Sequence, residues 1–301
     1  MQIKQEIIMA ITASMVKELR ERTGAGMMDC KKALTETDGD MEAAIDLMRT
    51  SGAAKAAKKS GRVAAEGLVK VNISDDKKTA TILEVNSETD FVTKGDAFVA
   101  FVEALGELAI KTKPSNIEQF LEQTLDNGDS LEKAREEIVA SVGENVAIRR
   151  VQTVSVDDSG VIGAYKHGER IAVLAILEGG DENLAKDVAM HIAASKPECV
   201  TEDELPADIL EREKAIFVEQ ARESGKPDNI IEKMIVGRMK KFVNEVTLYG
   251  QAFVKDPDTT VGKLAKSNNA TVKSFVRFEV GEGIEKKEEN FADEVMAQVK
   301  G

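Results

Sequence analysis

The side chains best suited to nucleophilic or metal chemistry are few in this sequence, and none is spaced for it. His167 and His191 are the only histidines, and neither falls in an H-x-x-x-H pair or a Cys/His cluster of zinc-binding spacing. Cys30 and Cys199 stand far apart, in no metal-ligand pattern. They suit a reducing compartment, as small buried hydrophobes. Nothing beside Cys30 supports a thiolate activated by either histidine. His191 lies among Ala189, Met190, Ile192 and Ala193 and reads as a helix histidine near the core. His167 lies in a turn, Tyr165-Lys166-His167-Gly168-Glu169-Arg170, and is the better placed of the two for a contact. No G-x-x-x-x-G-K-[ST] phosphate loop exists; Val261-Gly262-Lys263-Leu264 lacks the upstream glycine and the hydroxyl. Gly24-Ala25-Gly26 opens a helix without a preceding strand, so it is no dinucleotide fingerprint. These absences argue against an enzyme and for a protein that works by docking.

Two segments carry residue types suited to docking. In Asn86-Ser87-Glu88-Thr89-Asp90-Phe91-Val92 an aromatic follows an aspartate directly, after a strand that ends in polar residues. Two readings stand. Thr89 or Asp90 caps the next helix while Phe91 packs on its first turn as a hydrophobic staple. Alternatively, Phe91 is an aromatic wedge for a partner's pocket, the kind of anchor that dominates an interface. In Thr23 to Leu34, a glycine-rich turn is followed by adjacent methionines. Adjacent helix positions point about 100° apart, so both cannot face one core. Met27, Cys30 and Leu34 are expected to share the apolar stripe, and Met28 to face solvent beside Lys31 and Lys32. An exposed methionine is a docking contact or a bare surface residue.

The elements that must position these segments follow from periodicity. Ile11, Met15, Val16 and Leu19 predict a first helix, with Thr12 at its start and Gly24 at its end. Cys30 and Leu34 belong to the second. Asp40 caps a third, striped by Met41, Ala44, Ile45 and Met48 and stopped at Ser51-Gly52. Lys55 to Lys59 reads as a solvated linker first and a partner site second. The period then becomes two. Val69, Val71 and Ile73 predict a strand, Ser74 to Lys78 a turn, and Thr81, Leu83 and Val85 the returning strand. A helix carrying Phe98, Phe101, Val102, Leu105 and Leu108 follows.

A second unit repeats that pattern: a hairpin from Gly160–His167 and Arg170–Leu177, then a helix from Gly179-Gly180-Asp181 carrying Leu184, Val188 and Ile192. Each helix runs into a Lys-Pro step, Lys113-Pro114 and Lys196-Pro197. Two β-β-α units predict a duplicated α+β core of antiparallel sheets. Leu205 to Val246 is expected to form an antiparallel helical hairpin. Its seams are Leu210, Phe217, Ala221 and Ile231, Ile235, Met239, Phe242, and its turn is Ser224 to Pro227. It is inserted before a last strand, Val272 to Val280, ended by Gly281 and Gly283. A short tail helix around Phe291 and Val295 closes the chain.

With 301 residues, the chain is long enough for two or more domains. A formal net charge of −13 argues against a nucleic-acid binder, which needs clustered Lys and Arg. No apolar run is long enough to span a bilayer, and no cleavable signal is visible. Met9 reads as a second start, leaving the first eight residues as an extension.

Several segments together resemble bacterial elongation factor Ts. They are Ile11-Thr12-Ala13-Ser14, Val16 to Leu34, Thr89-Asp90-Phe91-Val92, Val142-Gly143-Glu144-Asn145, His167-Gly168, His191 to Pro197, Gly237 to Phe242, and Arg277 to Gly283. The resemblance runs from about Met9 to the end. It implies an α+β multidomain fold: a UBA-like three-helix domain over 9–54, a linker over 55–66, and a core N-subdomain over 67–147. The core C-subdomain would take 148–200 and 247–281, a coiled-coil hairpin 201–246, and a C-terminal module 282–301. It also implies a cytoplasmic guanine-nucleotide exchange factor whose partner is the GTPase elongation factor Tu. Such a factor has no catalytic site, cofactor or metal of its own and no direct nucleic-acid or membrane contact; a homodimer or a 2:2 complex is left open. Carried over by position, Asp90 and Phe91, supported by Thr89 and Val92, would wedge near the partner's Mg²⁺. Arg20, Met27, Met28 and Lys31 would dock the N-terminal domain. Val142 and Gly143 would make a second core contact, with valine where the family often has isoleucine, and His167 a third. Ser87 and Thr93 depart from the pattern around the loop, but both are small. The contrasting readings are an adaptor or chaperone-like scaffold and, further off, a small-molecule enzyme.

Overall fold

A computed structural model of the chain describes residues 11–23, 25–223 and 227–285. The expected helix stop at Gly24, the turn at Ser224 to Lys226, the extension before Met9 and the tail helix near Phe291 lie outside the described residues. So does the C-terminal module beyond residue 285.

Three helices open the chain: α1 (Ala13–Thr23), α2 (Met27–Glu36) and α3 (Met41–Lys59). Thr12 Oγ1 accepts the Met15 amide at 3.3 Å, and Asp40 accepts the Ala43 amide at 3.0 Å, so both starts carry side-chain caps. Val16, Leu19, Cys30, Ala33, Leu34 and Ala44 form the buried centre. Met27 is not part of the stripe: at the first turn of α2 it is exposed, and Ala33 takes the expected place beside Cys30 and Leu34.

Helix α3 does not stop at Ser51-Gly52. It continues to Lys59, so the first part of the expected 55–66 linker is helical. An alanine-rich run favours helix, and two contacts hold it. Gly52 passes beside Ala140 of the neighbouring helix, where even a Cβ would find ordinary contact at 3.5 Å. Ala56 is fully buried in the core described next.

That core is built from β1 (Glu66–Ile73), β2 (Thr79–Ser87), α4 (Asp96–Thr112), α5 (Ile117–Leu121), α6 (Leu131–Val142) and β3 (Val146–Ser155). The sheet order is β1-β2-β3. Its central strand, β2, is buried at every position, including Asn86 and Ser87, which were expected in the loop. Phe98, Leu105, Phe120, Leu131 and Val139 are completely buried against it. Helices α5 and α6 and strand β3 are not among the expected elements, although Leu131, Ala134, Ile138 and Val139 share one buried face of α6.

The second sheet contains β4 (Gly160–His167), β5 (Ile171–Glu178) and, after α7 (Glu182–Ser195), α8 (Ala207–Arg222), α9 (Asp228–Val246), β6 (Ala252–Phe253), β7 (Asp256–Thr260) and α10 (Val261–Ser267), the last strand β8 (Thr271–Glu279). Its order is β4-β5-β8, with antiparallel pairing throughout. Helix α7 lies so close to β4 that a Cβ at Gly163 would come within 2.1 Å of the Ala185 backbone. The repeat is visible in the caps. Helices α4 and α7 both end on a lysine in the left-handed region, Lys113 at φ 50° and Lys196 at φ 45°, each before a proline. A residue before proline is steered out of the α region, so both helices stop at the same step. Helices α8 and α9 form the expected hairpin, and the Phe217 and Phe242 rings meet edge to face at 6.5 Å. The hairpin does not lead straight to the last strand: β6, β7 and α10 intervene.

The chain divides into two compact units. One takes residues up to Leu68, Leu83–Val151 and the chain from Val280; the other takes Val69–Ile82 and Gln152–Glu279.

Candidate partner-binding site

In the first unit, the segment after β2 turns through Glu88 to Phe91 into a single 3₁₀ turn, Val92–Lys94. Helix α4 then starts from Gly95, without a side-chain cap. Neither Thr89 nor Asp90 caps it, and Phe91 does not pack on its first turn: the ring is 80% exposed. The staple reading is therefore overturned. Val92 takes the inward position and packs against the core.

Phe91 stands out because its neighbours are tied down. Thr89 donates twice to the Glu144 carboxylate, from its amide at 2.9 Å and from its hydroxyl at 2.6 Å. Ser87 Oγ donates to the Thr89 carbonyl at 3.0 Å. The Glu88 carboxylate accepts the Asn145 amide at 2.6 Å and lies 3.6 Å from Arg62. Thr93 Oγ1 donates to the Asp90 carbonyl at 2.7 Å. The Asp90 side chain pairs with Lys94 at 2.9 Å, and the same ammonium lies 5.8 Å from the centre of the Phe91 ring. The Asp90–Lys94 pair is exposed and contributes little to stability. It does flank the ring with charge on a fixed turn.

The opposite half of this arrangement is the turn from α6 into β3. Val142 ends the helix, half-buried against the core, and Gly143 caps it in the left-handed region at φ 79°, where a Cβ is disfavoured. Lys59, at the end of α3, donates to the Gly143 carbonyl. Asn145 is buried and its amide nitrogen donates to the Arg62 carbonyl at 2.8 Å. Thr89, Asp90, Phe91 and Val92 are thus brought together with Val142 and Gly143. The carboxylates that join them, Glu88 and Glu144, were not singled out from the sequence. Their only signal there was the motif in which Glu144 stands.

Of the remaining sites, Met27 and Met28 are 49% and 76% exposed on the first turn of α2, with Lys31 exposed one turn on. Arg20 is exposed on α1. His167 belongs to the second unit, where it ends β4 opposite Ile171 and stacks on Tyr165 with ring centres 6.4 Å apart. His191 is fully buried. Its Nε2 lies 2.9 Å from Gln251 Oε1, and its Nδ1 accepts the Val254 amide at 3.2 Å. Burial pushes its pKa below the ordinary histidine range, with the Gln251 bond opposing this. Burial likewise raises the Cys199 thiol, helped by Glu204 and Glu198; a thiol pushed that way is a poor nucleophile. Among the described residues, no group of three or more His, Cys, Asp or Glu is placed to hold a metal ion, and no helix is long and apolar enough to cross a membrane.

A sequence model of the family described as Elongation factor TS matches residues 88–282, which is most of the chain and includes the Phe91 loop. The chain belongs to the elongation factor Ts family. The full length agrees with this. An elongation factor Ts from Ruthia magnifica subsp. Calyptogena magnifica is 80% identical over 293 residues, covering 97% of this chain and 99% of its own length. One from Vesicomyosocius okutanii subsp. Calyptogena okutanii is 70% identical over 97% of this chain and 100% of its own. Another, from Alkalilimnicola ehrlichii, is 60% identical with the same coverage of both chains. Membership makes this chain a translation elongation factor, acting in protein biosynthesis. It also accounts for the α+β architecture of helices and antiparallel sheets.

Proposed function

We propose that this protein is a guanine-nucleotide exchange factor for elongation factor Tu, in the cytoplasm, and that it has no catalytic site of its own. The observation that carries the reading is Phe91: a large apolar ring, 80% exposed, on a loop fixed by hydrogen bonds on both sides. Burying such a ring in a partner gains about 1.5–3 kcal/mol, and a fixed loop loses little entropy on docking.

The mechanism is one of linkage. A GTPase holds GDP by phosphate contacts and by a Mg²⁺ that demands near-octahedral geometry. Phe91, steadied by Asp90, Thr89 and Val92, enters beside that site and displaces the ion's shell. Factor and GDP then weaken each other's binding by the same factor. GDP leaves, and GTP refills the site. Val142 and Gly143 dock beside the wedge, and His167 makes a separate contact from the second unit. The three-helix segment, read as UBA-like, docks through Arg20, Met27, Met28 and Lys31. The coiled-coil hairpin and the C-terminal module from 282 are further parts of the same factor.

The test is release of labelled GDP from elongation factor Tu, with wild type and Phe91→Ala. Fast release by wild type, lost in a folded Phe91→Ala, supports both the function and the wedge. Equal release by both removes Phe91 from the mechanism. No acceleration by wild type, with an active partner, removes the function.

A further inference from the structure

We propose that Glu144 is the positioning residue of the wedge. It touches neither nucleotide nor metal; it acts through Thr89. This rests on the reading of Phe91 as the group that enters the partner.

The geometry is specific. One carboxylate oxygen of Glu144 accepts the Thr89 amide at 2.9 Å and the other accepts the Thr89 hydroxyl at 2.6 Å. Both oxygens are used on one residue, two positions before the aromatic ring. Hydrogen bonds to a charged acceptor are among the strong ones, and two from one residue fix direction as well as distance. Glu144 is itself held. It follows the left-handed cap at Gly143, whose carbonyl is taken by Lys59, and precedes Asn145, whose side chain bonds the Arg62 carbonyl. The Asn145 amide returns a bond to Glu88 at 2.6 Å. Each strand of the junction therefore gives a carboxylate to the other's backbone. Phe91 has no packing of its own to set its direction, since it is 80% exposed; the Glu144–Thr89 bracket supplies it. A side chain that must displace a metal shell tolerates little misplacement.

The experiment measures GDP release from elongation factor Tu against factor concentration, for wild type, Phe91→Ala, Glu144→Ala and Glu144→Gln. In parallel, hydrogen exchange at the Thr89 amide is followed in the free proteins. Glu144→Ala is expected to lower the plateau rate about tenfold, with the half-saturating concentration nearly unchanged, and to lose protection at Thr89 while β2 amides keep theirs. Glu144→Gln retains an acceptor for the Thr89 amide and a donor for its hydroxyl, and should restore most of the plateau and the protection. A Glu144→Ala plateau equal to wild type overturns the inference. So does an unchanged plateau with a raised half-saturating concentration, which would make Glu144 a docking contact. If wild type itself fails to accelerate release, the exchange reading falls and this inference with it.

Discussion

The carboxylate of Glu84, with no side-chain surface exposed, accepts the amide of Gly281, 197 residues further along the chain, at 2.8 Å. The same carboxylate accepts Arg149 at 3.0 Å, Arg150 at 2.5 Å and the Asn86 amide at 3.0 Å. Strands β2 and β3 and the exit of the last strand thus meet on one buried charge. Burial alone would raise the Glu84 pKa, but the Gly281 and Asn86 bonds and the Arg150 charge together hold it below its ordinary 4.5. A carboxylate depressed in the folded state stabilises the fold above its unfolded pKa, and that contribution is lost as pH falls through the folded value. Glu84→Ala removes the buried carboxylate that Arg149 and Arg150 share, though each keeps a contact with Glu282, and should cost about 3 kcal/mol. Urea titrations at neutral pH and below pH 4.5 check this: wild type should lose stability on acidification more steeply than Glu84→Gln.

His191 should titrate below the ordinary histidine range. Its Nδ1 accepts a backbone amide, so the proton sits on Nε2 and points at Gln251. Protonation would turn the acceptor into a second donor facing an N–H. With the folded pKa depressed by burial, the contribution is complete above about 6.5 and declines as pH falls below it. Nitrogen NMR of the imidazole should report a neutral Nε2-H ring at neutral pH, and on acidification protonation at a lower pH than for an ordinary histidine. Protonation at or above the ordinary histidine range would refute it.

Phe91→Ala should fold normally. Its ring is mostly in solvent, so the expected change in stability is within about 0.5 kcal/mol. Thermal melts of the variant and wild type should superimpose; a large loss of stability would mean that the ring supports the fold.

Met28→Ala separates docking from wedging. Met28 is 76% exposed on α2, so its loss should leave the melt unchanged. In the GDP-release assay it should raise the half-saturating concentration and spare the plateau, the reverse of the expected Glu144→Ala result.

Gly163→Ala should be severe despite adding one methyl. That methyl would sit 2.1 Å from the Ala185 backbone, so α7 must move off β4. Overpacking of this kind costs about 3 kcal/mol, and denaturant unfolding measures it directly.

Periodicity and end signals were enough for much of this protein. The alternation of Val69, Val71 and Ile73 in β1 and of Val272 to Val280 through β8, the 3.6-residue stripes of α1, α4 and α7, and the helix starts at Thr12, Asp40 and Asp181 are local properties, and local physics reads them. The docking motifs were legible as residue types in a row, and their likeness to one family carried the functional reading. Tertiary contacts decided the rest. Gly52 looked like a stop, yet α3 runs on because Ala140 and the core receive it. Strand β3 shows no strict alternation, because its partners, and not its own pattern, define its faces. Most of all, the sequence left Phe91 between a staple and an exposed ring. Its backbone could serve either, and the choice was made by Glu144, far along the chain, which binds Thr89 and leaves Val92 to fill the core. Which side chain turns inward depends on what waits there to be packed, and no local spacing contains that information.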